Sequence, residues 1–320
     1  MKRKIHINFS DFWHPDTLEA KLNNPLYKLL SERFDLVICD NPDFLLFSSF
    51  GVNFIRYSGV RIFYTGENVR PNYSLCDWSF GFDYSDDPRH FRLPYYAIWD
   101  TSPLLQTYDT EALIARKKRF CAFVYSNAKA KMRIQFLDKL SRYKAVDCGG
   151  RVRNNIGSLV SDKVAFLRDY KFNIAFENES YPGYTTEKLP ESFIGNTVPI
   201  YWGNPLIDKE FNTSAFINAH EFRNLDQVVE FVVEMDRNDQ LYQQYLASPA
   251  FINGNANEFV DKNRILDRFE QIFESSEAIP CAQTLAGRIA SLMREPRRYR
   301  HQVKKILQSI HINKRFHSSK

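Results

Sequence analysis

Charged and polar side chains follow a strongly apolar run in the middle of the chain, where they could bind a negatively charged ligand. The run Phe172–Phe176 is rich in aromatic residues and Glu177–Asn178 ends it abruptly, a pattern typical of a buried strand. After a short loop, Thr185 is a good helix N-cap, and it would place Glu187–Lys188 in the first helical turn. Free backbone N–H groups, the helix dipole and the Lys188 charge all favour a phosphate at this position.

The segments around this loop predict a strand–helix–strand unit that presents the polar residues at one edge of a sheet. The helix is expected to end near Gly195–Asn196, and Thr197–Gly203 predicts the next strand with its turn. Open α/β sheets bind ligands beyond the carboxyl ends of parallel strands, where Glu177–Asn178 would lie. Pro190 falls within the first two helical turns, where it removes a backbone hydrogen bond and favours a kink that would move Lys188.

Two arginines are further candidates for an anion site. Arg133 lies in the first turn of a helix predicted over 132–143, where the positive end of the helix dipole disfavours a cation. A bound anion would explain this position, and an exposed arginine would explain it equally well. Arg153 follows the glycine turn Gly149–Gly150 at the end of a predicted strand and is the third candidate cation.

The composition limits the classes of protein to which the chain can belong. It has 320 residues, of which 44% are hydrophobic and 15% aromatic, and this suits two medium-sized domains. The five cysteines are widely spaced without a Cys-x-x-Cys pair, so buried free thiols in a reducing cytosol are expected. No apolar run approaches the length of a membrane span, and the basic start alternates like a first strand rather than a signal peptide.

Predicted strands alternate with helices or loops along most of the chain, as in α/β proteins. In the first part, apolar runs predict strands at 5–9 (an edge or half-buried strand), 35–39, 44–50 and 61–65. In the second part, apolar periodicity predicts helices at 132–143, 160–170, 226–236, 238–246 and 259–273. Periodicity is lost over 99–118, so we expect an α/β domain over 1–112, a second over 113–280 and a helical tail over 281–320.

The C-terminal segment differs from the rest of the chain in charge. From Arg294 to Lys320 there are nine Lys or Arg residues and one Glu, whereas the whole chain has a net charge of +5. Apolar residues at helical spacing within this segment predict an amphipathic helix with a basic face. Such a helix suits the surface of an anionic membrane, and it equally suits packing back onto the domain.

The motifs of the central region, taken together, resemble the donor-binding signature of a known family. The sequence contains Phe-Glu-Asn at 176–178, Tyr-x-Thr-Glu-Lys at 184–188 and Val-Pro-Ile-Tyr-Trp-Gly at 198–203. This order is similar to that of the family 10 glycosyltransferases, the α-1,3/4-fucosyltransferases, and most similar to bacterial members that build Lewis antigens on lipopolysaccharide. The resemblance extends back to Gly66–Asn68 and forward to Phe216–Asn218.

The resemblance implies a fold and a reaction. The implied fold is GT-B, in which two Rossmann-like domains face each other across a cleft, with donor on the second domain and acceptor on the first. The implied enzyme is an inverting α-1,3-fucosyltransferase, which moves L-fucose from GDP-β-L-fucose to N-acetylglucosamine of an N-acetyllactosamine-type acceptor in lipopolysaccharide O-antigen synthesis. We expect a cytoplasmic protein whose tail contacts the inner membrane peripherally.

The resemblance also implies roles for individual residues. Glu67 matches the general base proposed for the family, although a carboxylate capping a turn would be the ordinary interpretation of it. Glu177 is the competing base, in the donor stretch itself. The residues that match donor-contacting positions are Arg133, Asn178, Tyr184, Glu187 and Lys188, and Arg153 is a further candidate from its charge.

No cofactor is expected, and a divalent metal is expected to be stimulatory at most. The sequence has no Asp-x-Asp triplet, with which many sugar transferases hold a metal, and cationic side chains would stabilise the departing diphosphate instead. Two other functions remain open: transfer from another nucleotide sugar, and glycan binding without catalysis. Nucleic-acid binding is disfavoured because the basic residues concentrate in the tail rather than among aromatic residues of the body.

Removing residues from Arg294 onward tests the role of the basic tail. We expect the truncated protein to keep most of its catalytic rate in solution and to bind anionic vesicles more weakly, because the membrane attraction comes from the removed charges. Vesicle co-sedimentation and a transfer assay measure both properties. A truncated protein that unfolds would show instead that the tail belongs to the core.

Overall fold

The structure is a computed structural model that describes residues 2–275 and 279–294. The chain forms two compact units. The first consists of Met1–Gly81, Ser85–Phe91 and the described part of Lys262–Lys320, and the second of Phe82–Tyr84 and Arg92–Asp261. Each unit contains one sheet with helices, which confirms the predicted α/β class.

The elements are named in chain order. The strands are β1 Lys4–Ser10, β2 Asp35–Ile38, β3 Phe44–Phe47, β4 Val60–Tyr64, β5 Trp78–Gly81, β6 His90–Arg92, β7 Arg119–Phe123, β8 Val146–Cys148, β9 Tyr170–Phe176, β10 Val198–Trp202 and β11 Ile217–Asn218. The α-helices are α1 Leu18–Leu22, α2 Pro25–Arg33, α3 Thr110–Arg116, α4 Lys131–Leu140, α5 Lys163–Leu167, α6 Lys188–Ile194, α7 Leu225–Arg237, α8 Asp239–Ala247, α9 Lys262–Glu274 and α10 Leu285–Arg294.

The sheet of the first unit has the strand order β2-β1-β3-β4-β5-β6. The strands β1 to β5 pair in parallel with their neighbours. β1 is therefore an interior strand, and its last four residues, Ile7–Ser10, are all buried. Of the two alternatives predicted for 5–9, the edge strand was wrong, because β1 has a neighbour on each side and the polar Asn8 that breaks up the apolar pattern is itself buried.

Helix α9 belongs to the first unit, although the sequence analysis assigned its residues to the second domain. Aromatic packing explains its position. The Phe273 ring lies 4.7 Å from that of Phe44, and the Phe269 ring stacks on Phe80 of β5 at 4.3 Å. Helix α10 contacts the same unit, since Nη1 of the buried Arg61 donates to Ser291 Oγ at 3.1 Å. The part of the predicted tail beyond Arg294 lies outside the described residues.

The sheet of the second unit has the order β11-β10-β9-β7-β8, and all its pairs are parallel. The central strand, β9, is buried at nearly every residue, which explains why its sequence is continuously apolar rather than alternating. Helix α4 covers one face of this strand, with the Phe136 ring stacked on Phe176 at 4.8 Å. This packing fixes the helix that carries Arg133 against the carboxyl end of β9.

Several predicted bounds need correction. The helix predicted over 160–170 is only the five-residue α5, because Asp162 caps its start and Tyr170 already begins β9. The stretch 99–118 contains α3, and residues 92–112 group with the second unit rather than the first. Four of the five cysteines are buried, as expected, and Cys39 is partly exposed. Among the helices of the described residues, none combines the length and the apolar character that crossing a membrane requires.

Candidate functional site

The polar residues that follow β9 lie where β9 and β10 end together. The two strands are parallel and in register, so that Phe176 pairs with Trp202. The backbone N–H of Glu177 donates to the Trp202 carbonyl at 2.7 Å and extends this pairing by one residue. The segment 177–187, called here the 177–187 loop, therefore starts at the carboxyl edge of the sheet, as the sequence predicted.

The Glu177 carboxylate is fully buried beneath this loop. Its Oε1 accepts hydrogen bonds from the backbone N–H and the hydroxyl of Thr186, both at 2.8 Å, and its Oε2 lies 3.0 Å from Lys188 Nζ. Gly203, the residue after β10, lies so close that a Cβ there would be 2.4 Å from Glu177 Cγ. The carboxylate thus fastens the end of the 177–187 loop to the end of β9.

Lys188 shares its charge between two carboxylates. Besides Glu177, its Nζ contacts Glu187 Oε1 at 3.2 Å, and it donates to the Thr186 hydroxyl at 2.8 Å. Burial alone would lower the pKa of Lys188, but Glu177 and Glu187 outweigh burial and hold that pKa well above its usual value. Burial likewise opposes ionisation of Glu187, yet Lys188 and Lys163 lower its pKa to about 2. Lys188 and Glu187 are therefore both charged at neutral pH.

The helix start differs from the predicted one. The N-cap of α6 is Glu187 rather than Thr185, and Lys188 is the first helical residue. Thr185 is not a cap, because its hydroxyl donates to the buried Glu210 at 3.2 Å. Pro190 is consequently the third helical residue, a position whose N–H has no intrahelical partner, and the predicted loss of a hydrogen bond was wrong.

Arg133 is buried, so the interpretation of it as an exposed arginine was wrong. Its Nε and Nη2 donate to the Phe176 carbonyl at 3.1 and 2.7 Å, and Nη2 also donates to Asn178 Oδ1 at 3.0 Å. The guanidinium lies 3.7 Å from the centre of the Tyr125 ring. Its Nη1 is buried and has no hydrogen-bond partner in the described part of the chain. An arginine in the first turn of α4 is thus explained by its hydrogen bonds to a strand carbonyl.

Asn178 and Tyr184 occupy opposite ends of the 177–187 loop. Asn178 is partly buried, and its Oδ1 accepts from Asn127 Nδ2 at 3.3 Å as well as from Arg133. Tyr184 is buried, and its ring packs against Phe82 at 5.0 Å. Asn178 therefore stays accessible beside Arg133, whereas Tyr184 packs into the second unit.

Sequence reasoning missed a buried network that holds the middle of the loop. Asn204 Oδ1 accepts from the Gly183 N–H at 2.6 Å, and Asn204 Nδ2 donates to Glu210 Oε1 at 2.7 Å. Arg92 Nη2 also donates to Glu210 Oε1. Burial raises the pKa of Glu210 to about 7, although Arg92 acts in the opposite direction. An Asn-Pro pair such as that at 204–205 is typical of a turn, but nothing in the sequence pointed to Glu210.

Two predicted residues are not members of this cluster. Arg153 is exposed and forms an ion pair with Asp138 at 3.5 Å, so it does not join Arg133 and Lys188. Glu67 belongs to the first unit, three residues after the end of β4, and is half-buried. Its backbone N–H donates to the Thr65 hydroxyl at 3.0 Å.

The electrostatic balance of the cluster shows which cation is free to act on an anion. The Lys188 charge is offset by Glu177 and Glu187, whereas Arg133 donates its hydrogen bonds to the uncharged oxygens of Phe176 and Asn178. A buried guanidinium with a spare donor suits a phosphate oxygen, because charge-assisted hydrogen bonds are strong where water is excluded. The charges of the cluster therefore suit an anion such as a diphosphate.

Two family models together match most of the chain. Residues 7–99 match the model described as Alpha-(1,3)-fucosyltransferase FucT N-terminal domain. Residues 114–267 match that of Glycosyltransferase family 10 (fucosyltransferase) C-term. The chain belongs to glycosyltransferase family 10. The resemblance drawn from the motifs around β9 and β10 is thereby confirmed.

Individual members of family 10 show how far the likeness extends. The chain is 31% identical to Alpha-(1,3)-fucosyltransferase FucT of Helicobacter pylori over 283 residues, which cover 76% of this chain and 59% of that protein's length. A crystal structure of an alpha1,3-fucosyltransferase with GDP-fucose superimposes with a TM-score of 0.75 and 29% identity, over 88% of this chain and 93% of that one.

Likeness in fold extends to a protein of much lower sequence identity. A glycosyltransferase from Rickettsia africae superimposes with a TM-score of 0.53 at 10% identity, over 86% of this chain and all of that one. At this identity the likeness concerns the fold alone. Two parallel α/β units and the fucosyltransferase match identify the fold as GT-B type.

Substitution of the two buried cations tests the proposed anion contact. We expect Arg133→Ala and Lys188→Ala to weaken GDP binding about ten- to a hundredfold, because a charged hydrogen-bond partner is lost. The effect of Arg133→Ala should be the larger, since its charge is not offset by a carboxylate. Isothermal titration with GDP measures the affinities, and Arg142→Ala, which removes an exposed arginine after α4, is the control. Unchanged GDP affinity in both variants would move the phosphate site elsewhere, with Arg153 as the next candidate.

Proposed function

We propose that this family 10 chain transfers L-fucose from GDP-β-L-fucose to the 3-hydroxyl of N-acetylglucosamine in an N-acetyllactosamine-type acceptor. Two comparisons support the choice of reaction: the H. pylori relative is named an α-1,3-fucosyltransferase, and the matched crystal structure contains GDP-fucose. The observation that carries the proposal for this chain is the buried Arg133, whose Nη1 has no hydrogen-bond partner among the described residues, at the carboxyl edge of the second sheet.

The proposed reaction inverts the anomeric carbon. The acceptor oxygen forms a bond to C1 of fucose from the face opposite GDP, the bond from C1 to the phosphate oxygen breaks, and GDP leaves with the electron pair. A β-linked donor therefore gives an α-fucoside. Arg133 and Lys188 stabilise the negative charge that develops on the diphosphate, which is the role that a metal ion has in other transferases. We accordingly propose turnover without a metal, and at most stimulation by one.

The acceptor hydroxyl must lose its proton to a base, and we propose Glu67 for this role. Glu67 is half-buried after a strand end of the first unit. The competing carboxylate, Glu177, is fully buried and accepts hydrogen bonds from Thr186 and Lys188, so it has no access to a sugar hydroxyl. A carboxylate that is exposed in part can exchange a proton with substrate and then with solvent.

We further propose that the acceptor is a glycan of lipopolysaccharide O-antigen and that the protein works at the cytoplasmic face of the inner membrane. The support for the location is the basic, periodically apolar segment after Arg294. No other class of partner is required by the proposed reaction.

A transfer assay tests the proposed function directly. The protein is incubated with N-acetyllactosamine and GDP-fucose, with GDP-mannose or UDP-galactose as competing donors, and with or without EDTA. We expect fucosylation from GDP-fucose alone at a rate that EDTA leaves unchanged, and an α-1,3 linkage by NMR. Transfer from another donor would establish a different transferase, and glycan binding without turnover would establish a lectin. Loss of activity in EDTA that only a divalent ion restores would refute the metal-independent mechanism.

Paired substitutions distinguish the two candidate bases. Glu67→Gln keeps the shape of the side chain but cannot take a proton, so the single-turnover rate should fall by about 10²–10⁴ while GDP-fucose affinity survives. Glu177→Gln should instead lower donor affinity or stability, because it weakens the bonds that hold Thr186 and Lys188. A near-normal rate in Glu67→Gln, together with a collapsed rate at intact affinity in Glu177→Gln, would place the base in the second unit.

A further inference from the structure

Five rings form a contiguous cluster in the first unit, which we call the aromatic platform: Phe12, Trp13, His14, Phe50 and Tyr64. Trp13 is at its centre, with ring centres 5.4 Å from Phe12 and 6.5 Å from both Phe50 and Tyr64. His14 lies parallel to Phe12 at 5.6 Å. The rings come from three different segments of the chain, so the cluster is a product of the fold rather than of one sequence motif.

The aromatic platform lies at the carboxyl edge of the first sheet. Phe12, Trp13 and His14 follow the end of β1, Phe50 follows β3, and Tyr64 is the last residue of β4. These three strands are adjacent in the sheet. Parallel α/β sheets bind their ligands at this edge. The proposed base, Glu67, follows Tyr64 by three residues.

The platform has a buried base and an exposed surface. Phe12 and Tyr64 are 5% and 0% exposed, whereas Trp13 and Phe50 are 36% and 50% exposed. The two accessible rings therefore rest on rings that cannot move without disturbing the core. Neighbouring large rings exposed at a ligand-binding edge form an apolar surface that an ordinary solvated loop does not need.

Hydrogen bonds hold the two loops that carry the exposed rings. Asp11 has a positive φ of 58°, and its carboxylate accepts from the backbone N–H groups of Asn53 and Phe54 at 3.0 and 2.7 Å. The Asp11 carbonyl accepts from the Phe50 N–H at 3.0 Å. Asp11 thus ties the segment that carries Trp13 directly to the segment that carries Phe50.

His14 is fixed in a similar way on the other side of Trp13. Its Nε2 accepts from Asn24 Nδ2 at 3.0 Å, and its Nδ1 donates to the Pro15 carbonyl at the same distance. Asn24 is itself buried as the N-cap of α2. The platform is therefore arranged before any ligand binds, which reduces the entropy lost on binding.

The chemistry of the platform selects an uncharged ligand with an apolar face. The charged side chains of the same loop are Asp11, which is buried, and Asp16, which forms an ion pair with Lys21 at 2.7 Å. The loop therefore has no cation of its own to bind a phosphate or an anionic lipid headgroup. The face of an aromatic ring carries partial negative charge and attracts the weakly positive C–H groups of a pyranose. Galactose presents such a face, because its axial 4-hydroxyl leaves the hydrogens of C3, C4 and C5 together on one side.

We propose that the aromatic platform is an acceptor subsite, in which Trp13 and Phe50 stack against the galactose residue of an N-acetyllactosamine-type acceptor. This inference rests on the proposed function. In it, the platform recognises the sugar next to the reacting N-acetylglucosamine, and it determines specificity without contacting the reacting atoms. Asp11 acts as a positioning residue for the two rings.

The decisive experiment compares acceptors with and without galactose, in the wild-type chain and in variants that lack an aromatic ring of the platform. We expect the wild-type chain to use N-acetyllactosamine with a KM about three- to tenfold lower than that for N-acetylglucosamine, the usual worth of one ring contact. In Trp13→Ala this preference should disappear, while the KM for GDP-fucose and the rate of its hydrolysis by water stay unchanged. Phe50→Ala should reduce the preference, and Trp13→Phe should keep most of it.

A matched control separates loss of the platform from general damage. Tyr108 has a ring that is 43% exposed and belongs to the second unit, so Tyr108→Ala should keep the full preference for the disaccharide. The proposal is overturned if the wild type does not distinguish the two acceptors or if Trp13→Ala keeps the preference. It is equally overturned if Tyr108→Ala loses the preference to the same extent.

A binding measurement keeps the proposal testable if the chain transfers a sugar other than fucose. Saturation-transfer NMR of N-acetyllactosamine with the full-length protein should show the strongest signals from galactose H3, H4 and H5, and Trp13→Ala should lose them. Absent or unchanged signals would overturn the subsite. Failure of fucose transfer with these signals intact would count against the proposed reaction alone.

Discussion

The buried carboxylate of Glu177 is the constraint on which the organisation of the second unit's ligand edge depends. It lies at the end of the central strand, excluded from water, and it is stabilised by Thr186 and the ammonium of Lys188. Removing one member of such a buried pair typically costs about 3–5 kcal/mol, because the other charge is left without a partner. The 177–187 loop, the start of α6 and the end of β9 therefore stabilise one another, and disrupting one of them destabilises the other two.

Two further contacts hold the same loop at other points. One is made by a cation and the other by a buried carboxylate. Arg133 from α4 binds the Phe176 carbonyl and Asn178, so the start of the loop is held by a cation. The middle is held by Glu210 with Arg92, but burial raises the pKa of Glu210 to about 7. Arg92 therefore compensates the burial of the Glu210 carboxylate only in part. Preorganised polar groups of this kind bind a ligand with little rearrangement.

Sequence patterns predicted the features that neighbouring residues determine, such as the central strand. They failed for features that depend on contacts with residues distant in the sequence. The apolar run Phe172–Phe176 identified the central strand. The charge of Arg133 at a helix start marked that residue as unusual, but it did not decide between a bound anion and an exposed side chain. Thr185 has the chemistry of an N-cap, yet a partner 25 residues away, Glu210, takes its hydroxyl. Phe269 lies on an amphipathic helix, but only tertiary contacts could reveal that this helix packs on β5 of the first unit.

Gly203 lies so close to Glu177 that amino-acid substitutions at position 203 are restricted. Even the methyl group of alanine would approach Glu177 Cγ to 2.4 Å, so every other amino acid at position 203 has to displace the carboxylate from its partners. A mutant library randomised at this codon would recover glycine almost alone. By contrast, residues 179–182 of the same loop are exposed, and their side chains can change without touching the buried pair. Substitutions are therefore tolerated in the outer half of the loop and excluded at its base, where the side chains are packed against Gly203.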